Sequence, residues 1–475
     1  MPCSDHCKRQ RAGPFPISRR QALLLSLAGL AGAWGPRRSW AEGALPDPSA
    51  LIAAKPKSVV LFTASGAGRN DGSDWSNAMP IEQLSAALRA AQPGTGLLIG
   101  FDPANGPVSI GKEQVRINVS GSDGDPIFLQ AGAITGASGI AATADTPEAF
   151  FQSAKPWSLE SFGRRASSYF ALVDGASHLR ISGFRIDGTS ADGFFKFRGK
   201  DAAGTYQDIV LTGIEARNVG RVIESERGAR LQNVLIADCR AVGIVRGFAR
   251  FRHLSDSMFS NLDLDAAKMD AGGEDVCQLI AVTAGENLLF ENIVLRNAIN
   301  QPPPPKEGKQ PGYVQGDGIV CERETRNVTV RNCRASGMGD GGFDLKTTNV
   351  TMEDCSTESC KFGARIWARG ENVIRRCDFR DPVSRNDTQG ACIQAGGTLQ
   401  IIDSRLHAGP GTVAISLSHK KNKEGPAVVM RGGAITLEGS GAIVHANGDG
   451  VLELHEVMVN GVATTKRLVF EKKNK

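Results

Sequence analysis

One short phrase recurs from residue 178 to residue 461, and that recurrence constrains the fold more than any other feature of the chain. It reads HLRISGFRIDG (178–188), DIVLTGIEARN (208–218), QNVLIADCRAVG (232–243), ENLLFENIVLRNA (286–298), RNVTVRNCRASG (326–337), TNVTMEDCSTES (348–359), ENVIRRCDFRDP (371–382), TLQIIDSRLHAG (398–409) and GVLELHEVMVNG (450–461). Each copy is a polar turn, often with Asn, followed by two short stretches that alternate apolar and polar residues. A third brief stretch separates the copies, as in GDGIVCE, GGFDLK, GARIWA, ACIQAG and VAISLS.

Alternation of this kind, punctuated by Gly, Asn and Asp, belongs to strands and not to helices. A repeat of mostly 22–30 residues means a solenoid in which each coil buries its inner face against its neighbours. Three short strands per coil predict an all-β, right-handed parallel β-helix. The regular coils are expected from about residue 170 to 465, with residues 141–170 looping out. An open solenoid end needs a cover, and NAMPIEQLSAALRAAQPG reads as a short N-terminal capping helix within about 75–95. Asn77 is its expected cap, Pro80 lies in the first turn, Gly94 lies beyond the end, and Ile81, Leu84 and Leu88 face the first coil.

The N-terminal 41 residues read as an export signal and not as part of the fold. Arg19 and Arg20 precede an apolar run too short for a permanent membrane span, and small residues at Ser39 and Ala41 suit cleavage after Ala41; a cut after Ala33 is the alternative. The Ser-Arg-Arg sequence points to the twin-arginine route, and so to a periplasmic or secreted protein. The rival reading is an N-terminal membrane anchor. The remainder, 42–475, is expected to be one β-helix domain, a monomer without stable membrane insertion. The whole chain has 55 basic and 50 acidic residues; without the signal 48 face 49. That balance gives no support for a nucleic-acid partner. Eight of the ten cysteines follow the signal, and Cys333, Cys355 and Cys377 are 22 residues apart. Such spacing suits stacked, buried thiols, although Cys355 and Cys360 can also pair.

Stacking GIVCER (318–323), GFDLKT (342–347), GARIWA (363–368) and ACIQAG (391–396) turns inward Ile319, Cys321, Phe343, Leu345, Ala364, Ile366 and Cys392. Val320, Asp344, Arg365 and Ile393 then form one outward column, with Glu322, Lys346, Trp367 and Ala395 beside it. Asp317, Asp340 and Lys361 lie in the turns just before. Coils about 4.8 Å apart bring Asp317, Asp340, Asp344, Lys346, Lys361 and Arg365 into one patch. Three carboxylates from two coils repel one another unless a cation or basic groups lie among them, and hard oxygen ligands suit Ca²⁺. The alternative is a ladder of surface ion pairs, Asp344 with Arg365 and Glu322 with Lys346.

The segment DGGFDL (340–345) resembles the Asp-Asp-Gly-Phe-Asp-Leu segment of the family 9 polysaccharide lyases, secreted pectate lyases on a right-handed parallel β-helix. The resemblance covers roughly residues 310–370 by motif. It implies β-elimination of an acidic polysaccharide, with Asp317, Asp340 and Asp344 around a catalytic Ca²⁺. It also places Arg365, in GARI, at the position of the family's base lysine. Two departures stand out: Gly341 replaces an aspartate, and Arg365 replaces lysine. Lys361 and Lys346 are nearby substitutes for the base, and Arg365 can instead clamp a uronate carboxylate. Trp367 and Glu322 are expected on the substrate side, with Trp367 stacking on a sugar ring. A non-catalytic polysaccharide-binding β-helix, or a hydrolase or epimerase on the same scaffold, are the competing readings.

Overall fold

A computed structural model describes residues 51–471, apart from residue 53 and the segments 102–107, 111–113, 136–138, 142–150, 154–167, 189–191, 200–203, 270–275, 302–312, 386–387 and 420–423. The described residues belong to one compact unit, Leu45–Lys475. The expected export signal lies outside them, as does most of 141–170.

Why the chain coils is visible at its corners. The polar turns of most phrases place an Asn or Asp in the left-handed backbone region, for example Asn327, Asn349 and Asp354. These short polar side chains tolerate that region better than others do. Stacked corners then bond to one another: Asn349 Nδ2 donates to Asn327 Oδ1 (3.1 Å), and Asn327 Nδ2 donates to Asn287 Oδ1 (3.0 Å). Between corners run three strands per coil, each paired in parallel with its counterparts in the coils before and after.

Five successive strands form the face that matters below: β1 (Asp317–Arg331), β2 (Gly341–Leu345), β3 (Phe362–Ile366), β4 (Ala391–Ala395) and β5 (Val413–Leu417). Their inner column runs Ile319, Phe343, Ala364, Ile393 and Ile415, all fully buried in the continuous apolar core. The expected register holds from β1 to β3, where Val320, Asp344 and Arg365 share the outer column. It slips by one residue at β4. Gln394 is the partner of Arg365, and Ile393 and Ala395, both expected outside, face the core opposite Ala364 and Ile366. Because a one-residue slip reverses every side chain, burying Ile393 and Ala395 leaves the Gln394 amide beside Arg365. Cys392, expected inward, is also buried.

Coils begin earlier than the repeat phrase suggests. Ser58–Thr63, Thr95–Phe101, Ile127–Thr135 and Leu179–Ser182 stack in one parallel ladder. The first three of these strands are apolar and lack the Asn-bearing turn, so the phrase marks only the fourth. The cap is shorter than expected: a 3₁₀ turn at Ile81–Gln83 leads into helix α1 (Leu84–Ala90). Asn77 does not cap it, because Met79 and Pro80 pair with Phe62 and Thr63 as a strand. Ile81, Leu84 and Leu88 do enter the core. At the other end Gly450–Val459 turns back on Val462–Phe470 in antiparallel pairing. The eight cysteines from Cys239 to Cys392 are buried and unpaired by disulfides.

Phe343 lies between Ile319 and Ala364 at the middle of the inner column and is fully buried. Phe343→Ala should therefore lower stability by about 3–5 kcal/mol through the cavity it leaves, measured by urea unfolding. A loss below 1 kcal/mol would mean that the column does not carry the core at this point.

Candidate functional site

The outer side of β1–β4 gathers charge where a solenoid usually shows isolated polar residues. Asp317 opens β1, Asp340 immediately precedes β2, Asp344 lies within β2, Lys361 immediately precedes β3 and Arg365 lies within it. These five of the six sequence-predicted groups are brought together, four of them buried and Arg365 partly so, and not laid out on an open surface. Asp317, Asp340, Asp344 and Lys361 are 5%, 6%, 3% and 0% exposed.

Arg365 is the centre of the cluster. Its Nη1 donates to Asp340 Oδ2 at 2.5 Å and lies 3.6 Å from Asp344 Oδ2, while its Nε donates to Gln394 Oε1 at 3.0 Å. Burial opposes its charge, but Asp344, Asp340 and Asp317 outweigh burial and raise its pKa. A guanidinium so held is no base. Asp344 is held further by Trp367, whose Nε1 donates to Asp344 Oδ1 at 2.9 Å, and by Lys346 Nζ at 3.3 Å. Lys346 also donates to Glu322 Oε1 at 2.6 Å. Burial works against the Lys346 charge, yet Asp344 and Glu322 more than offset it and raise its pKa, so Lys346 is a fixed cation. Trp367 presents its ring to the Arg365 guanidinium at 4.8 Å; its edge is committed to Asp344.

The acids respond to the same crowding. Burial, then repulsion from Asp340 and Asp344, pushes the Asp317 carboxyl well above the usual range, although Arg365 and the Gly341 N–H pull it back. That N–H donates to Asp317 Oδ1 at 2.8 Å. Asp340 is also raised, by burial first and against the pull of Arg365.

Lys361 is the exception among the basic groups. Its ammonium is fully buried and its Nζ has no hydrogen-bond partner among the described residues. Burial, helped by Arg365 and Arg385 and resisted by Asp340, pushes its pKa down to about 8. Nζ lies 3.7 Å from the centre of the Tyr313 ring. The Tyr313 hydroxyl in turn donates to Asp340 Oδ1 at 2.5 Å. Tyr313 is a site residue that sequence reasoning missed. It follows a proline-rich stretch without periodicity, and only its position four residues before Asp317 hinted at a role.

The donor set can be tested against a resident Ca²⁺. Such an ion takes six to eight oxygens at about 2.3–2.6 Å. Here the carboxylates of Asp340 and Asp344 converge on a guanidinium, a phenol, an indole N–H and an ammonium. Among the described residues no group of three or more acidic, His or Cys side chains is arranged to hold a metal. Gly341 supplies no side chain, and a Cβ there would lie 3.3 Å from Asp317 Oδ1 and 3.4 Å from Arg365 Cδ. The residues do not fit the ion, because Arg365 already stands as the cation among these carboxylates.

Residues 278–454 match the family model described as "Right handed beta helix region". Among solved structures, a GH136 lacto-N-biosidase from Eubacterium ramulus is similar over 84% of this chain and 68% of its own, at 13% identity and a TM-score of 0.49. A rhamnogalacturonan lyase is similar over 71% of this chain and 84% of its own (12% identity, TM-score 0.41). A pectate lyase is similar over 87% and 82% (12% identity, TM-score 0.33). No curated protein sequence matches the chain.

The mismatch with Ca²⁺ has a measurable consequence. An ion bound a hundredfold above its Kd would add about 2.7 kcal/mol to stability. The expected outcome is a thermal unfolding midpoint that is the same with millimolar Ca²⁺ and with chelator. A calcium-dependent rise that Asp344→Asn abolishes would overturn the assignment.

Proposed function

We propose that this right-handed parallel β-helix is an exported polysaccharide lyase that cleaves a uronate-containing polymer by β-elimination, with Lys361 as the base. The observation that carries the reading is the Lys361 amine: buried, without a hydrogen-bond partner among the described residues, and shifted into the range where it is partly neutral near pH 8. A buried, unpartnered lysine lowers stability, and a passive binding surface gains nothing from it; strongly shifted groups beside charge partners are what catalysis needs.

The elimination begins at C5 of the uronate, whose proton is acidic only while the adjacent carboxylate is neutralised. Arg365, held in place by Asp340 and Gln394, supplies that positive charge at its remaining N–H groups, with no metal in the step. Neutral Lys361 takes the C5 proton. The C–H electron pair forms the C4–C5 double bond, and the C4–O bond breaks. Lys346 and Glu322 lie at the more exposed side of the cluster and suit contacts with sugar hydroxyls, as does the Trp367 ring.

A hydrolase reading draws on Asp317, whose carboxyl is shifted towards the acid form by burial and by its acidic neighbours. It is the weaker reading, because Asp317 is buried with one oxygen held by the Gly341 N–H. Arg365 reaches both other carboxylates. Export by the twin-arginine route agrees with the core: eight buried, unpaired thiols suit a chain that folds in a reducing compartment before it crosses the membrane.

The test is incubation with polygalacturonate, alginate and glycosaminoglycans while following the ultraviolet absorbance of an unsaturated uronate. New reducing ends without that absorbance would mean hydrolysis; binding without either would mean a passive module. With a responsive polymer in hand, Lys361→Ala should cut kcat by about 10²–10⁴-fold. The wild-type rate should rise with pH as Lys361 loses its proton around pH 8. A rate that is flat from pH 6 to about 9, where a base of this kind must titrate, would remove Lys361 from the role.

A further inference from the structure

Resting on the lyase reading, we infer that Tyr313 is the acid of the reaction: its phenol protonates the glycosidic oxygen as that oxygen leaves C4. An alkoxide leaves poorly unless a proton reaches it in the transition state, and the cluster offers few donors. Asp317, Asp340 and Asp344 are nearly inaccessible, the Trp367 N–H is given to Asp344, and the Lys346 ammonium lies between Glu322 and Asp344. Tyr313 is 39% exposed, and it alone among these groups combines an O–H with a side chain that reaches from solvent to the base. Its hydroxyl is 2.5 Å from Asp340 Oδ1, and its ring centre is 3.7 Å from Lys361 Nζ.

The same contacts make the residue the cover of the base. A sugar reaches Lys361 by moving the phenol off Asp340, and the leaving oxygen then becomes the hydroxyl's acceptor. The atoms balance within the site. Lys361 gains the C5 proton, the electron pair passes into the C4–C5 double bond, and the C4–O pair leaves on oxygen. Tyr313 gives that oxygen its proton and becomes a phenolate. The Lys361 ammonium returns a proton to the phenolate through water, so the net transfer is from C5 to the leaving oxygen and no further reactant is consumed.

The decisive comparison uses two substrates: the polymer that gives an unsaturated product, and a uronate carrying nitrophenol on O4, whose leaving group needs no proton. Tyr313→Phe should lower kcat on the polymer by about 10²–10³-fold and stay within a few-fold of wild type on the nitrophenyl substrate. Lys361→Ala should lose both. Tyr313→His restores a proton donor at the same position; it should recover part of the polymer rate and add a dependence on pH near 6–7 that wild type lacks. Loss of both substrates in Tyr313→Phe with an unchanged melting temperature would reduce Tyr313 to a packing role. So would retention of both, or failure of Tyr313→His to exceed Tyr313→Phe. If wild type forms no unsaturated product from any polyuronate, it is the lyase reading that falls.

Discussion

Parallel stacking at about 4.8 Å is the constraint on which everything else in this molecule depends. It puts each residue directly beneath its counterpart in the next coil, so the chain cannot choose a side chain at one position without choosing its neighbours. Inside, the consequence is an unbroken apolar column through Ile319, Phe343, Ala364, Ile393 and Ile415. At the corners it is the asparagine ladder. On the outer face it forces Asp344 beneath Arg365 and Arg365 beneath Gln394, which is how charges far apart in sequence come to share one low-dielectric cluster. Burial then does the rest. Groups that would be ordinary surface ions become raised acids at Asp317 and Asp340 and a lowered amine at Lys361.

Much of this was legible because a solenoid writes its geometry into a period. The repeat defines the coil, alternation the inner and outer faces, and the spacing alone gathers Asp317, Asp340, Asp344, Lys361 and Arg365. What failed did so for identifiable reasons. At ACIQAG every residue but Gln394 is small or apolar, so alternation alone permits two registers, and only the need to keep that amide out of the core selects one. Met79 and Pro80 read as helix by periodicity but are taken by pairing with Phe62 and Thr63, a tertiary contact that local pattern does not carry. The early coils from Ser58 onward lack the Asn-bearing turn that marks the later ones in the sequence. Tyr313 sits beyond any periodic stretch, and nothing local distinguishes a loop tyrosine that caps an ammonium from one that faces water.

Burial also changes what the ion pairs mean. On an open surface the Asp344–Arg365 and Glu322–Lys346 pairs would be worth little. In the structure the second pair remains half exposed, whereas the first lies in a region where an unpaired charge would be costly. The expected alternatives, a cation site or a salt-bridge ladder, therefore merge: the guanidinium is the cation, and the ladder is its coordination.

Gly341 and Arg365 then read as one change and not two. An aspartate at 341 would begin with a Cβ 3.3 Å from Asp317 Oδ1 and 3.4 Å from Arg365 Cδ, so its carboxylate would crowd the space that the arginine stem fills and would add a fourth negative charge beside three. It would also bring that charge next to the Gly341 N–H that steadies Asp317. Removing the carboxylate lowers the demand for a divalent ion, and the glycine leaves room for a longer, permanently charged side chain to meet what demand remains. With the guanidinium fixed as the neutralising charge, the one basic group of the cluster that no carboxylate holds among the described residues is Lys361, the base of the proposed elimination.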